Sequence, residues 1–166
     1  MKYLFIIFLF FFSNFVFAKS EAYFTPSLDC ENKIIQLIKK STETIDVAVY
    51  AINNDAIVDA LKKAHERGVK IRVLTDRVQA GQKTSKVSEL EKFGIPVIRH
   101  KKYRLQHDKF AIFDSKKVVT GSYNWTNSAS RHNAENCFFF TNTNTEKYVK
   151  HFENLWNLNK ELQTTN

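Results

Sequence analysis

An apolar run occupies residues 3–12, and after residue 18 the apolar positions alternate between strand and helix rhythms. Residues 45–52 are nearly all apolar, as a strand covered on both faces should be, and 70–76 repeats the pattern. Between them Ile57, Leu61 and Ala64 recur at helical spacing, with residues 53–55 as the start of that helix and Gly68 as its stop. Upstream, a short strand at 23–25 precedes Asp29, which is placed to cap a helix bearing Ile34, Ile35 and Ile38 on one face. Downstream, polar residues 79–85 read as a loop, Val87, Leu90 and Phe93 make a further helix ended by Gly94, and 95–98 returns as a strand. This alternation predicts an α/β domain with a largely parallel central region.

Beyond residue 105 the rhythm changes. Residues 106–113 and 118–120 read as two strands separated by the turn-like Asp114-Ser115-Lys116-Lys117, which predicts an antiparallel hairpin. Residues 135–141 supply a last strand. Over 145–158, Tyr148, Phe152, Leu155 and Trp156 share one helical face, an aromatic stripe suited to core packing. The expected whole is one domain over 19–166, with a mixed central sheet and helices on both of its faces.

The first 18 residues change the expected location rather than the fold. Lys2, the apolar run and Val16-Phe17-Ala18 make a secretory signal peptide cleaved after Ala18, since the run falls short of the roughly 20 residues of a spanning helix. The expectation is export to the periplasm or the medium, or a membrane anchor if the leader is retained. The net charge of +8 falls to +7 without Lys2, and both values favour polyanionic partners, nucleic acid and anionic lipid alike. Cys30 and Cys137 leave a disulfide and two buried thiols equally open. Neither the cysteines nor the five histidines stand at metal-binding spacings, so no metal or cofactor is expected.

Chemistry concentrates at 107–124. On an extended strand alternate side chains share a face, which sets His107 and Lys109 side by side, and the same parity joins Ser122 to Asn124. An imidazole can attack phosphorus or move a proton, an ammonium can neutralise nonbridging oxygens, and hydroxyl and amide can donate to them. Glu135 is a candidate acceptor for the second imidazole nitrogen. Singly each residue has a plainer role: Asp114, Gly121, Ser122 and Asn124 suit turns, Lys109 a solvated strand, and Glu135 a partner for Arg131.

Together, His107, Lys109, Asp114, Gly121, Ser122 and Asn124 form His-x-Lys-(x4)-Asp-(x6)-Gly-Ser-x-Asn without a gap. That spacing resembles the HKD motif of the phospholipase D superfamily. The resemblance covers about 23–158 and is nearest the small single-motif branch of bacterial endonucleases and mitochondrial-surface enzymes. Asn133-Ala134-Glu135-Asn136 resembles the segment that follows the motif there. The resemblance implies a phospholipase D-like α/β fold and a metal-independent phosphodiesterase in which His107 forms a phosphohistidine. In that scheme Lys109, Ser122 and Asn124 hold phosphate, Glu135 orients His107, and Asp114 is structural as much as catalytic. One motif per chain implies a homodimer whose second His107 completes the site.

Arg99, Lys101, Lys102, Tyr103 and Arg104 lie just before the motif and suit contact with a nucleic-acid backbone, Tyr103 offering a stacking face. A solvated basic loop is the plainer alternative. The leading expectation is therefore an exported, sequence-nonspecific endonuclease for DNA or RNA. A phospholipase D acting on lipid headgroups is the alternative, and a non-catalytic nucleic-acid-binding module is a third.

Overall fold

The computed structural model describes residues 19–141 and 144–164. The expected leader at 1–18 lies outside the described residues. Seven strands form one sheet: β1 (Lys19–Phe24), β2 (Thr44–Val49), β3 (Lys70–Asp76), β4 (Val97–His100), β5 (Lys109–Phe113), β6 (Lys117–Gly121) and β7 (Asn136–Thr141). Their order is β1-β7-β6-β5-β2-β3-β4. β2, β3 and β4 are parallel, as the strand–helix alternation predicts, and every other pairing is antiparallel. The sheet is thus mixed, and less parallel than the first half of the chain alone suggests.

Strand parity builds two cores. Val47, Val73, Ala111 and Val119 face one side with Ile34 and Ile38 of α1 (Asp29–Lys40) and Ile57 and Leu61 of α2 (Asp55–Glu66). Ala48, Leu74, Phe110, Ile112 and Phe140 face the other, under Phe152 and Leu155 of the C-terminal helix, which spans Thr145–Thr164. Burying each such side chain contributes about 1.5–3 kcal/mol, so helices on both faces are required by the sequence of the inner strands. One buried charge interrupts the second core. Asp46 accepts a bidentate pair of bonds from Arg72 at 2.7 and 2.9 Å, and Arg72 also reaches Glu153 and lies over the rings of Phe152 and Trp156. This network fastens the C-terminal helix to the sheet.

Local signals place most boundaries. Asn54 caps α2 by accepting from Ile57 N at 3.0 Å. α3 (Arg77–Ala80), capped by Asp76, occupies part of the expected 79–85 loop; α4 (Val87–Lys92) follows it, and α5 (Asn127–Arg131) is unanticipated by periodicity because it is barely one turn. The C-terminal helix is α6 in this order and outruns the expected end at 158. Cys30 and Cys137 are joined as a disulfide between α1 and β7, which closes the alternative of free thiols.

Candidate active site

β5 begins where β2 and β3 end, since Lys109 pairs with Val49. His107 therefore lies two residues before the strand rather than within it, and strict strand parity does not bring the pair together. The ammonium does so: Lys109 Nζ donates to the His107 carbonyl at 2.7 Å and meets Nδ1 at 3.1 Å. An ammonium has no lone pair, so Nδ1 accepts and a neutral His107 carries its proton on Nε2. Tyr50, at the end of β2, supports both: its ring centroid is 4.6 Å from that of His107 and 5.3 Å from Lys109 Nζ. Gln79 Nε2 donates to the Tyr50 hydroxyl at 3.0 Å and fixes the ring. Burial pushes the Lys109 ammonium below the ordinary lysine range, opposed by the nearby carboxylates of Glu135 and Asp108.

The second half of the motif arrives by hairpin. Phe110 pairs with Thr120, so the next positions outward, Lys109 and Gly121, stand abreast. Gly121 has φ +145°, and a Cβ there would lie 2.3 Å from the Asn136 carbonyl oxygen. No other residue type fits that approach. Immediately beyond, Ser122 N and Tyr123 N both donate to Asn136 O, while Asn136 N donates to Ser122 Oγ at 3.0 Å. The hydroxyl oxygen is thereby oriented with its proton left to donate elsewhere. Asn124 follows, its Oδ1 buried without a hydrogen-bond partner. A buried amide left incomplete two residues beyond the oriented Ser122 is a group that a bound phosphate can complete after a half-turn of χ2.

Asp114 belongs to another part of the molecule. The chain runs five residues from Lys109 before reaching it, on the order of 16 Å along a strand, so it takes no part at the reacting centre. Asp114 and Ser115 have φ of 50° and 53°, the left-handed pair of a type I′ turn closed by Lys116 N to Phe113 O at 3.0 Å. The Asp114 carboxylate accepts from the backbone N–H groups of Thr42, Glu43 and Thr44. Partial burial would raise its pKa, but these three donors outweigh burial and hold it below the ordinary aspartate range. Of the two parts expected of it, structural and catalytic, these contacts account for the structural one: Asp114 ties the β5–β6 turn to the start of β2.

Glu135 also departs from expectation. Its carboxylate accepts from Asn133 Nδ2 at 3.1 Å and acts electrostatically on Lys109, while the Nδ1 of His107 is taken by Lys109. Arg99 is not available to a substrate either, because it forms a bidentate pair with Glu91 at 3.0 and 2.7 Å. Strand alternation turned it towards α4. Lys101, Lys102, Tyr103 and Arg104 are exposed. Their loop is held at both ends: Tyr103 N donates to His100 Nε2 at 2.8 Å, Lys101 N to Asn159 Oδ1, and Gln106 N to Asp76 Oδ2. His100 is buried, and burial lowers its pKa, keeping the ring a neutral acceptor for that loop. Among the described residues no group of three His, Cys, Asp or Glu is placed to hold a metal ion.

Comparison with known proteins agrees with this geometry. Residues 34–156 match the family model described as cardiolipin synthase, PLD-like domain. A phospholipase D of Rickettsia prowazekii is 43% identical over 113 residues, covering 68% of this chain and 55% of that protein. A phospholipase D of Rickettsia conorii is 38% identical over 138 residues, covering 82% of this chain and 69% of that protein. A mitochondrial cardiolipin hydrolase of Chlamydomonas reinhardtii is 31% identical over 130 residues, covering 78% and 58%. The chain thus spans between about half and two thirds of the length of these curated relatives. Among solved structures, the phospholipase D family member Nuc from Salmonella typhimurium superposes with a TM-score of 0.80 at 26% identity, covering 84% of this chain and 95% of that one. NucT from Helicobacter pylori gives 0.79 at 24% identity over 84% and 96%, a likeness of fold. With the family model across most of its length and a single, complete HKD motif, the chain belongs to the phospholipase D superfamily.

Proposed function

We propose that the chain is a metal-independent phosphodiester hydrolase that cleaves nucleic acid through a phosphohistidine, with an active site completed by a second copy. The observation that carries this reading is a half-site: one imidazole and one ammonium in contact at the start of β5, with an oriented hydroxyl and an incomplete amide just past the end of its hairpin partner β6. Attack needs Nε2 of one His107 as a free lone pair, which forms an N–P bond as the P–O bond to the leaving group breaks. His107 of the second copy, as the imidazolium with a proton on each ring nitrogen, gives its Nε2 proton to the leaving oxygen and is left neutral. It then takes a proton from water, whose oxygen displaces the first imidazole and releases the phosphate product. Both roles need a proton on Nδ1, the nitrogen that Lys109 meets here, so in the working dimer the ammonium turns to the phosphate. In the attacking copy Nδ1 bears the proton, and Glu135 is the carboxylate within the motif region suited to accept it. Lys109 and the Ser122 and Asn124 donors offset charge on the phosphorane oxygens, the work a metal does elsewhere.

Nucleic acid is the favoured substrate because Lys101, Lys102 and Arg104 are exposed around Tyr103, itself 55% exposed. A second reading, hydrolysis of phospholipid, draws on the exposed aliphatic side chains of Leu105 and Val78 near the same rim and on the names of the rickettsial relatives. The test is one panel of single- and double-stranded DNA and RNA and of phospholipid vesicles, in chelator, with wild type and His107→Ala. Cleavage of nucleic acid by wild type alone supports the first reading, headgroup release alone supports the second, and no hydrolysis by a dimer refutes both. Export is proposed on the leader-like sequence at 1–18 and accords with a disulfide, which persists in oxidising compartments. Cell fractionation tests it, and recovery with cytoplasmic markers overturns it.

A further inference from the structure

A buried polar network lies behind the motif, and none of the chemistry above uses it. Glu31, in the first turn of α1, is 5% exposed, yet its Oε2 accepts from Ser130 Oγ at 2.7 Å and from Asn54 Nδ2 at 2.6 Å. Ser130 Oγ in turn meets the hydroxyl of Tyr123 at 2.6 Å. Because the Ser130 proton is committed to the carboxylate, Tyr123 donates to Ser130, and the relay runs Tyr123 to Ser130 to Glu31. Burial pushes the Tyr123 phenol up to about 12, so it remains a donor. Tyr123 is the residue between Ser122 and Asn124. Asn54 reaches the same segment from the other side, its N–H donating to Trp125 O at 3.1 Å. Cys30, next to Glu31, is bonded to Cys137, which pairs with Gly121.

We propose that the first turn of α1 is the positioning element for the phosphate-binding segment 122–124, with Glu31 acting through Ser130 and Tyr123 and Cys30 acting through Cys137. This rests on the phosphate-binding role proposed for Ser122 and Asn124. Neither Glu31 nor Ser130 touches substrate; each holds the residue that lies between the two donors. Since all three contacts of the carboxylate use one oxygen, a neutral carbonyl in its place keeps the relay, whereas an apolar side chain removes it. A shift of about 1 Å in such donors costs on the order of 100-fold in rate.

The experiment compares wild type, Glu31→Gln, Glu31→Leu and the milder Tyr123→Phe, in the oxidised full-length chain, by amide hydrogen exchange and by turnover of the best substrate. Exchange is expected to rise tenfold or more at 122–124 in Glu31→Leu and in Tyr123→Phe, with kcat reduced on the order of 100-fold in Glu31→Leu. Glu31→Gln is expected to stay within a few-fold of wild type in both readouts. Unchanged exchange at 122–124 in folded Tyr123→Phe and Glu31→Leu overturns the proposal, as does a Glu31→Gln variant as impaired as Glu31→Leu. If Glu31→Leu does not fold, Tyr123→Phe decides. A wild type that hydrolyses no phosphodiester, with exchange altered as expected, refutes the functional reading and leaves the positioning element standing.

Discussion

Reducing the Cys30–Cys137 bridge should lower the stability of the chain more than any single surface change. The half-cystines are separated by 107 residues and both are buried, at 0% and 1% exposure. For a loop of that length, loss of the cross-link restores chain entropy to the unfolded state worth about 4.7 kcal/mol at 25 °C. That is a large share of the roughly 5–15 kcal/mol by which domains are stable. With a urea dependence of about 2 kcal/mol per molar, the unfolding midpoint should fall by about 2 M. The measurement is urea unfolding followed by the fluorescence of the buried Trp125, with and without reductant, beside a Cys30→Ala/Cys137→Ala double variant. A midpoint shift under about 0.5 M would refute the chain-entropy reasoning, because it corresponds to only about 1 kcal/mol.

Gly121→Ala should abolish turnover while leaving the far ends of the sheet paired, because its Cβ meets Asn136 O at 2.3 Å and displaces Ser122; activity within threefold of wild type would contradict the close approach. Asp114→Asn should cost about 1 kcal/mol at pH 7 by weakening three N–H bonds, as a lost cap does. Because the folded Asp114 carboxyl titrates below its unfolded value, the wild type holds this contribution above about pH 4 and loses it as pH falls further; Asp114→Asn should show a flatter acid limb in unfolding midpoint against pH. Lys109 must be charged to offset the phosphate, and burial lowers its pKa, so the rate should fall with rising pH below the ordinary lysine value of about 10.4; a plateau extending through that pH in the pH–rate profile would sink the assignment.

The inner strands and helices were legible because apolar periodicity is a direct record of burial: β3 lies at the predicted 70–76, and Ile57, Leu61 and Ala64 line the buried face of α2. Strand order was not, since nothing local in 106–113 says that it inserts antiparallel beside β2. In the site, spacing alone brought His107, Lys109, Ser122 and Asn124 to one region, but spacing says nothing about hydrogen bonds made at a distance. Asp114 looked like a motif member and is held by Thr42, Glu43 and Thr44 some 70 positions earlier. Tyr50 and Glu31 were missed. Each left a signal: Tyr50 is the bulky polar-tipped break in the apolar run 45–52, and Glu31 falls three and seven residues before Ile34 and Ile38, on the face that packs inward.

The pairing of β1 with β7 has a consequence for how the molecule comes into being. Lys19 to Phe24, the first described strand, finds its partner only in Asn136 to Thr141, with every other strand made in between. Nascent chain therefore holds an unsatisfied strand while residues 25–135 are made, and the disulfide that locks α1 to β7 cannot form any sooner. Until the last strand emerges β6 is an edge of the sheet and β1 has no place in it, and any factor that requires an extended chain has that interval in which to act.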